Sequence, residues 1–171
     1  MTYKVPPEPA AKRIALWRRL KGMGAVYLQN GVCLLPQTDE HMRQLKMLEN
    51  DATEMGGETI LLLTSSLDKN QEAKVIARFQ ADRDDQYREF LGKCDSFEAE
   101  IAKEIAKQKY TYAELEEEDN DLKKLQSWLE KIRALDFYKA SLSVSASERM
   151  NQCEALLADY AQRVFDANQG L

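Results

Sequence analysis

Apolar and polar positions change their spacing part-way along the chain, from short mixed segments to long runs at helical steps. Residues 2–6 hold Tyr3 and Val5 in an extended run and predict a first strand. Pro7 and Pro9 punctuate the chain and suit the first turn of a helix. Over residues 10–23, Ile14, Leu16, Trp17 and Leu20 fall on one side at helical spacing, Lys12, Arg19 and Lys21 fall elsewhere, and Gly22 and Gly24 mark the end. Residues 25–29 and 32–36 read as a hairpin around Asn30-Gly31, the dipeptide best suited to the positive φ values of a tight turn. Thr38 is an N-cap before Asp39-Glu40, and Met42, Leu45, Leu48 and Met55 give a second amphipathic helix closed by Gly56-Gly57. Residues 58–65, centred on Ile60-Leu61-Leu62-Leu63, complete a β-α-β-β-α-β order. That order predicts a ferredoxin-like α+β domain over residues 1–67, with two helices on one face of a four-stranded antiparallel sheet.

Residues 68–171 read as helix throughout. Val75, Ile76, Phe79, Arg83, Tyr87, Phe90, Cys94, Phe97, Ile101 and Ile105 recur at steps of three and four. This is the pattern of one helix of about 38 residues, about 55 Å long. Thr111-Tyr112-Ala113-Glu114 is a capping box that starts a new helix, striped by Leu115, Leu122, Leu125, Trp128, Leu129, Ile132 and Leu135. A linker over residues 138–144 leads to a second expected capping box, Ser145-Ala146-Ser147-Glu148, and a last helix with Met150, Cys153, Leu156, Leu157, Tyr160 and Val164 inward. Short connections join neighbours that run in opposite directions, so the expected architecture is an antiparallel three-helix, coiled-coil-like bundle. Trp17 and Trp128 are expected as core anchors, one in each part.

Composition then narrows the class. A chain of 171 residues buries a sizeable core without disulfides or metals. Cys33, Cys94 and Cys153 are odd in number and lack Cys-x-x-Cys spacing, which fits reduced core thiols. The apolar run 60–63 falls far short of the roughly 20 residues of a membrane span. The N-terminus carries no secretory pattern, so the expected location is the cytoplasm. Charge is uneven: residues 1–36 hold six bases against Glu8 alone, so the remainder is strongly acidic, for a net charge of −5.

Several segments resemble a known family: Tyr3-Lys4-Val5-Pro6, Arg13-Ile14-Ala15-Leu16-Trp17-Arg18-Arg19-Leu20, Gly24-Ala25-Val26, Leu34-Leu35-Pro36 and Gly56-Gly57-Glu58. So do Arg83-Asp84, Tyr87, Lys109-Tyr110-Thr111-Tyr112-Ala113-Glu114-Leu115-Glu116 and Trp128-Leu129. Together they resemble the N-terminal region of ChrB, the regulatory protein of bacterial chromate-efflux operons. The first part is also similar to the phenylacetate-pathway repressors, whose comparable domain is ferredoxin-like. The resemblance implies transcriptional regulation in chromate and related oxyanion resistance, with DNA as a partner. Full-length members of that family carry a further C-terminal domain, so the resemblance leaves the oxyanion site of this chain unassigned, and it leaves open a homodimer or a sensing domain supplied in trans.

The basic first helix is the candidate nucleic-acid contact, because Lys12, Arg13, Arg18, Arg19 and Lys21 can meet phosphates as point charges and forks. The bland alternative is a solvated outer face. Arg13 with Arg18, or Arg83 with Arg88, would suit an oxyanion, but the sequence assigns no such site. Catalytic residues, metal ligands and cofactors are not expected. Strand one carries Lys4-Val5-Pro6 where a ferredoxin-like nuclease would need an acid, and His41 is the single histidine. The expectation is a non-enzymatic, DNA-associated regulatory or accessory protein; the alternatives are a dimerisation module and a metal-dependent nuclease. Arg83, Asp84 and Asp85 interrupt the long helix's stripe and suggest a local salt bridge, with a buried polar residue that sets register or reaches the first domain as the alternative, and Glu116-Glu117-Glu118-Asp119 suggests a solvated helix start.

Overall fold

The alternation read from the pattern is realised in a computed structural model of the protein, which describes residues 1–169. The described chain is α+β, with β1 (Thr2–Lys4), α1 (Ala10–Gly22), β2 (Val26–Gln29), β3 (Val32–Leu34), α2 (Asp39–Glu54), β4 (Glu58–Ile60), α3 (Lys69–Ala106), α4 (Tyr112–Ala134) and α5 (Ser143–Asn168). Among the described residues no helix is long and apolar enough to cross a membrane. The chain divides into two units, Met1–Phe79 and the remainder from Gln80, with the boundary inside α3.

In the first unit the sheet runs β2-β3-β1-β4, every neighbour antiparallel. Tyr3 lies opposite Thr59, and Tyr27 opposite Cys33. The hairpin slips register between Tyr27 and Gln29, so Leu28 is an extra residue on the β2 side. In the turn only Gly31 takes positive φ, at 72°, while Asn30 does not. The register slip and the single left-handed glycine describe a bulged hairpin in place of the symmetric two-residue turn expected from Asn-Gly. Gly31 is required there: a Cβ would meet the Tyr3 carbonyl oxygen well inside van der Waals contact.

Met1, Leu16, Leu20, Ala25, Cys33 and Leu48 form this unit's core. Thr38 caps α2 by accepting the His41 backbone N–H at 3.0 Å. Two expectations need correction. Ile14 and Trp17 were placed on the buried side of α1, yet they are 46% and 49% exposed, while Leu16 and Leu20 are buried. At 100° per residue the four positions span about 160° of the helix, and only the edge holding Leu16 and Leu20 meets the core. The fourth strand also stops at Ile60, not residue 65; its pairing with β1 ends at Thr2 opposite Ile60, and Leu62 and Leu63 stand exposed.

In the second unit three helices supply one core. Tyr87, Phe90, Cys94, Phe97 and Ile101 of α3 meet Leu122, Leu125, Leu129 and Ile132 of α4, and Ala146, Met150, Cys153, Leu157, Tyr160 and Val164 of α5. Each seam steps by three and four, so one stripe of every helix faces inward. Direction follows from cross-helix contacts. Gln126 bonds Glu154 and Arg133 bonds Ser147, so α4 runs against α5; Asp95 and Glu98 both meet Arg149 and Tyr160 bonds the Lys109 carbonyl, so α5 runs with α3.

The helix starts show one local cap and one tertiary substitute. Thr111 Oγ1 accepts the Glu114 N–H at 3.3 Å, as expected, while Glu114 itself turns to Lys109 at 2.5 Å. The second expected capping box is not the start of α5: the helix begins at Ser143 after Leu142, with no side-chain cap, and residues 145–148 lie within its opening turns. Asp84 of α3 holds this junction instead, accepting the Leu142 N–H and the Ser141 hydroxyl at 2.8 Å each, while Asp136 accepts the Ala140 N–H at 2.9 Å. A carboxylate from a packed neighbour does here what a local Ser or Glu does elsewhere.

Candidate nucleic-acid interface

The five bases of α1 are not gathered on one face. Helical geometry places Arg13 beside Trp17 on one flank with Lys21 a turn further along it, Lys12 and Arg19 on the opposite flank, and Arg18 on the outer side. Lys12, Arg13, Arg18 and Arg19 are exposed and Lys21 is half-buried. Arg19 is ion-paired with Asp51 of α2, so its charge is partly committed within the unit. Lys12, Arg13 and Arg18 form no ion pair among the described residues.

A groove of about 590 Å³ opens on the Arg13 flank. The strand side contributes Tyr3, Lys4 and Val5; α1 contributes Arg13, Ile14 and Trp17; the β2–β3 turn closes the groove with Asn30 and Gly31. Local structure fixes these walls. The Tyr3 N–H donates to the Gly31 carbonyl at 2.7 Å, tying the turn to β1, and the Tyr3 and Tyr27 hydroxyls share a hydrogen bond of 2.8 Å. Burial and that bond hold the Tyr27 hydroxyl well above its ordinary pKa, so it stays neutral and available as a hydrogen-bonding group. The lining holds two cations and no acid. Sequence reasoning found Arg13 but missed Tyr3, Lys4 and Trp17 as its companions; the signal was Trp17 at i+4 from Arg13, hidden by assigning every large apolar residue to the core.

A broader surface on α4 shows the contrast. Lys123, Lys124 and Lys131 surround Trp128, yet Lys123 pairs with Asp119 at 2.5 Å and Lys124 with Asp121 at 2.7 Å, and Trp128 packs edge-on to Phe90 at 5.8 Å between ring centres. Trp128 is the core anchor that Trp17 is not.

The family profile described as "Protein ChrB, N-terminal" matches residues 13–171. The chain belongs to the ChrB N-terminal family. Protein ChrB of Cupriavidus metallidurans is 31% identical over 91 residues, covering 53% of this chain and 28% of that protein. The matched stretch thus spans less than a third of the length of that relative. No solved structure matches. Within the ChrB match lie α1 from Arg13 onward, the β2–β3 turn and the long helices, while β1 with Tyr3 and Lys4 and the start of α1 with Lys12 precede it.

The second unit carries polar groups in its seams that the sequence reading treated differently. Glu118 was expected to be solvated, but it is 4% exposed and stands at the α4 seam position between Leu115 and Leu122. Burial, reinforced by Asp121, Glu100, Glu117 and Glu104, pushes it up to about 7. Glu104, at the end of the α3 seam, is equally buried and has Lys109 at 3.5 Å. Arg83 was expected in a local salt bridge; it is buried, its Nη1 lacks a hydrogen-bond partner, and burial lowers its pKa against the pull of Asp82 and Asp136. Arg88 pairs with Asp85 at 2.6 Å, so Arg83 and Arg88 do not converge on an oxyanion. Among the described residues no three His, Cys, Asp or Glu side chains cluster as metal ligands. His41 Nδ1 lies 2.8 Å from the Pro36 carbonyl oxygen at the start of α2.

Proposed function

We propose that this ChrB-family chain is a non-enzymatic, cytoplasmic regulatory or accessory module of chromate and related oxyanion resistance that contacts DNA through α1. Membership of the ChrB N-terminal family carries the biological role, and the exposed, unpaired Lys12, Arg13 and Arg18 support the DNA contact. The first unit is read as ferredoxin-like, supported by the β2-β3-β1-β4 order with two helices between split strand pairs. The second is read as an antiparallel three-helix, coiled-coil-like bundle, supported by three seams with steps of three and four and by α4 running against α5.

Fluorescence anisotropy with a mixed-sequence duplex at several salt concentrations tests the contact. Phosphate contacts by Lys12 and Arg18 give a log–log salt slope of about −2, and Lys12→Ala/Arg18→Ala brings it close to zero. Salt-insensitive binding, or no binding at low salt, overturns the DNA role for this chain. A second reading, an interaction module, draws on exposed Leu62, Leu63 and Leu67 after the edge strand β4. A molar mass that rises with concentration, in a protein without salt-sensitive DNA binding, selects it.

A further inference from the structure

The groove beside Trp17 has a composition that phosphate contact alone does not explain. A duplex presents its backbone to cations, and for that Arg13 and Lys4 need no aromatic neighbour. Trp17 nevertheless stands half in solvent at the groove's wall, with Ile14 also exposed beside it. An indole face next to two cations suits a flat ring that carries a negative charge: the ring stacks on the indole and the cations meet the anion. The groove's 590 Å³ lies in the range of small-ligand sites. Asn30 adds an amide able both to donate and to accept, which fits the edge of a base.

We propose that this groove holds an unpaired nucleotide of a nucleic-acid strand, its base stacked on Trp17 and its phosphate met by Lys4 and Arg13. The inference rests on the nucleic-acid role above and gives the Arg13 flank a different substrate from the Lys12 and Arg18 surfaces. A base within a duplex has both faces covered by its neighbours, so Trp17 can only engage one that is single-stranded or flipped out. A second copy of this chain is disfavoured as occupant, because a two-fold contact through this groove would set Lys4 and Arg13 against their own copies. Walls tied by the Tyr3–Gly31 and Tyr3–Tyr27 hydrogen bonds leave little to reorganise on binding.

The test uses the full chain carrying Trp128→Phe, so that emission reports Trp17 alone, with circular dichroism confirming the fold. Titration with an eight-residue oligothymidylate quenches Trp17. Arg13→Ala and Lys4→Ala each weaken the midpoint about tenfold or more, and Trp17→Leu, followed by anisotropy of a labelled oligonucleotide, does the same. A blunt duplex leaves Trp17 emission unchanged while still binding through Lys12 and Arg18. Quenching by thymidine monophosphate at the oligonucleotide's own midpoint overturns the strand as occupant in favour of a free nucleotide. Emission that changes with protein concentration alone overturns it in favour of a second copy. Duplex binding without oligothymidylate quenching sinks this inference and leaves the DNA role standing; loss of both sinks the DNA role with it.

Discussion

Helix α1 and the helices of the second unit are built from similar apolar and charged residues but are used in opposite ways. In α1 only Leu16 and Leu20 are buried, and Trp17 faces solvent beside Arg13. In α4, α5 and the part of α3 from Tyr87 onward, residues at steps of three and four enter a common core, and Trp128 is locked against Phe90. A narrow buried stripe leaves a helix free to present side chains; a full seam spends them on cohesion. The first arrangement suits recognition and the second suits scaffolding.

Substitutions in the two regions are expected to separate stability from binding. Phe90→Ala empties a fully buried position in the second unit and costs about 3–5 kcal/mol, read as a lower urea midpoint. A change below about 1 kcal/mol would show that the seam is not the main source of cohesion. Glu118 is next. Its folded pKa of about 7 lies above the ordinary carboxylate value, so between about pH 4.5 and 7 the folded chain holds more protons than the unfolded one. Stability therefore falls as pH rises through that window. Glu118→Gln removes the titration, gaining about 3 kcal/mol over the native chain at pH 8 and little near pH 4.5. Parallel pH profiles for the two proteins would place Glu118 in water. Asp84→Ala removes the tertiary anchor at the start of α5 and costs about 1–2 kcal/mol, with hydrogen exchange faster at Leu142 and the residues after it. Unchanged exchange there would mean that α5 is held by its seam alone. Trp17→Ala sits at the other extreme: stability moves by about 1 kcal/mol or less while binding of the oligonucleotide weakens about tenfold or more. A large loss of stability would instead make Trp17 a core residue.

Element order was legible because each signal is local. Asn30-Gly31 between two apolar runs, Thr38 before an amphipathic segment and Thr111 before Leu115 act through neighbours in the chain. Faces were legible where the period is long and strict: Tyr87, Phe90, Cys94, Phe97 and Ile101 name their own seam. The same steps place Arg83 in the stripe and, continued to Glu104 and Glu118, mark these acids as seam positions too, although acids at a helix start read more readily as solvated. In α1 a single short helix with apolar residues over about 160° gave no unique face. The basic residues were visible as a cluster in sequence, but their division among three sides of α1 follows from where Leu16 and Leu20 dock.

The α+β order, the turn at Gly31, the caps of α2 and α4 and the inward stripes of the long helices follow from the chain alone, because periodicity and backbone chemistry act within a few residues. Packing between distant segments is what joins Trp17 to Lys4, Arg13 and Asn30 in one groove, anchors a helix start on Asp84 58 residues away, and strips Glu118 of its water. Those outcomes depend on which distant atoms a side chain meets, and burial and electrostatics are set by that surrounding, not by position along the chain.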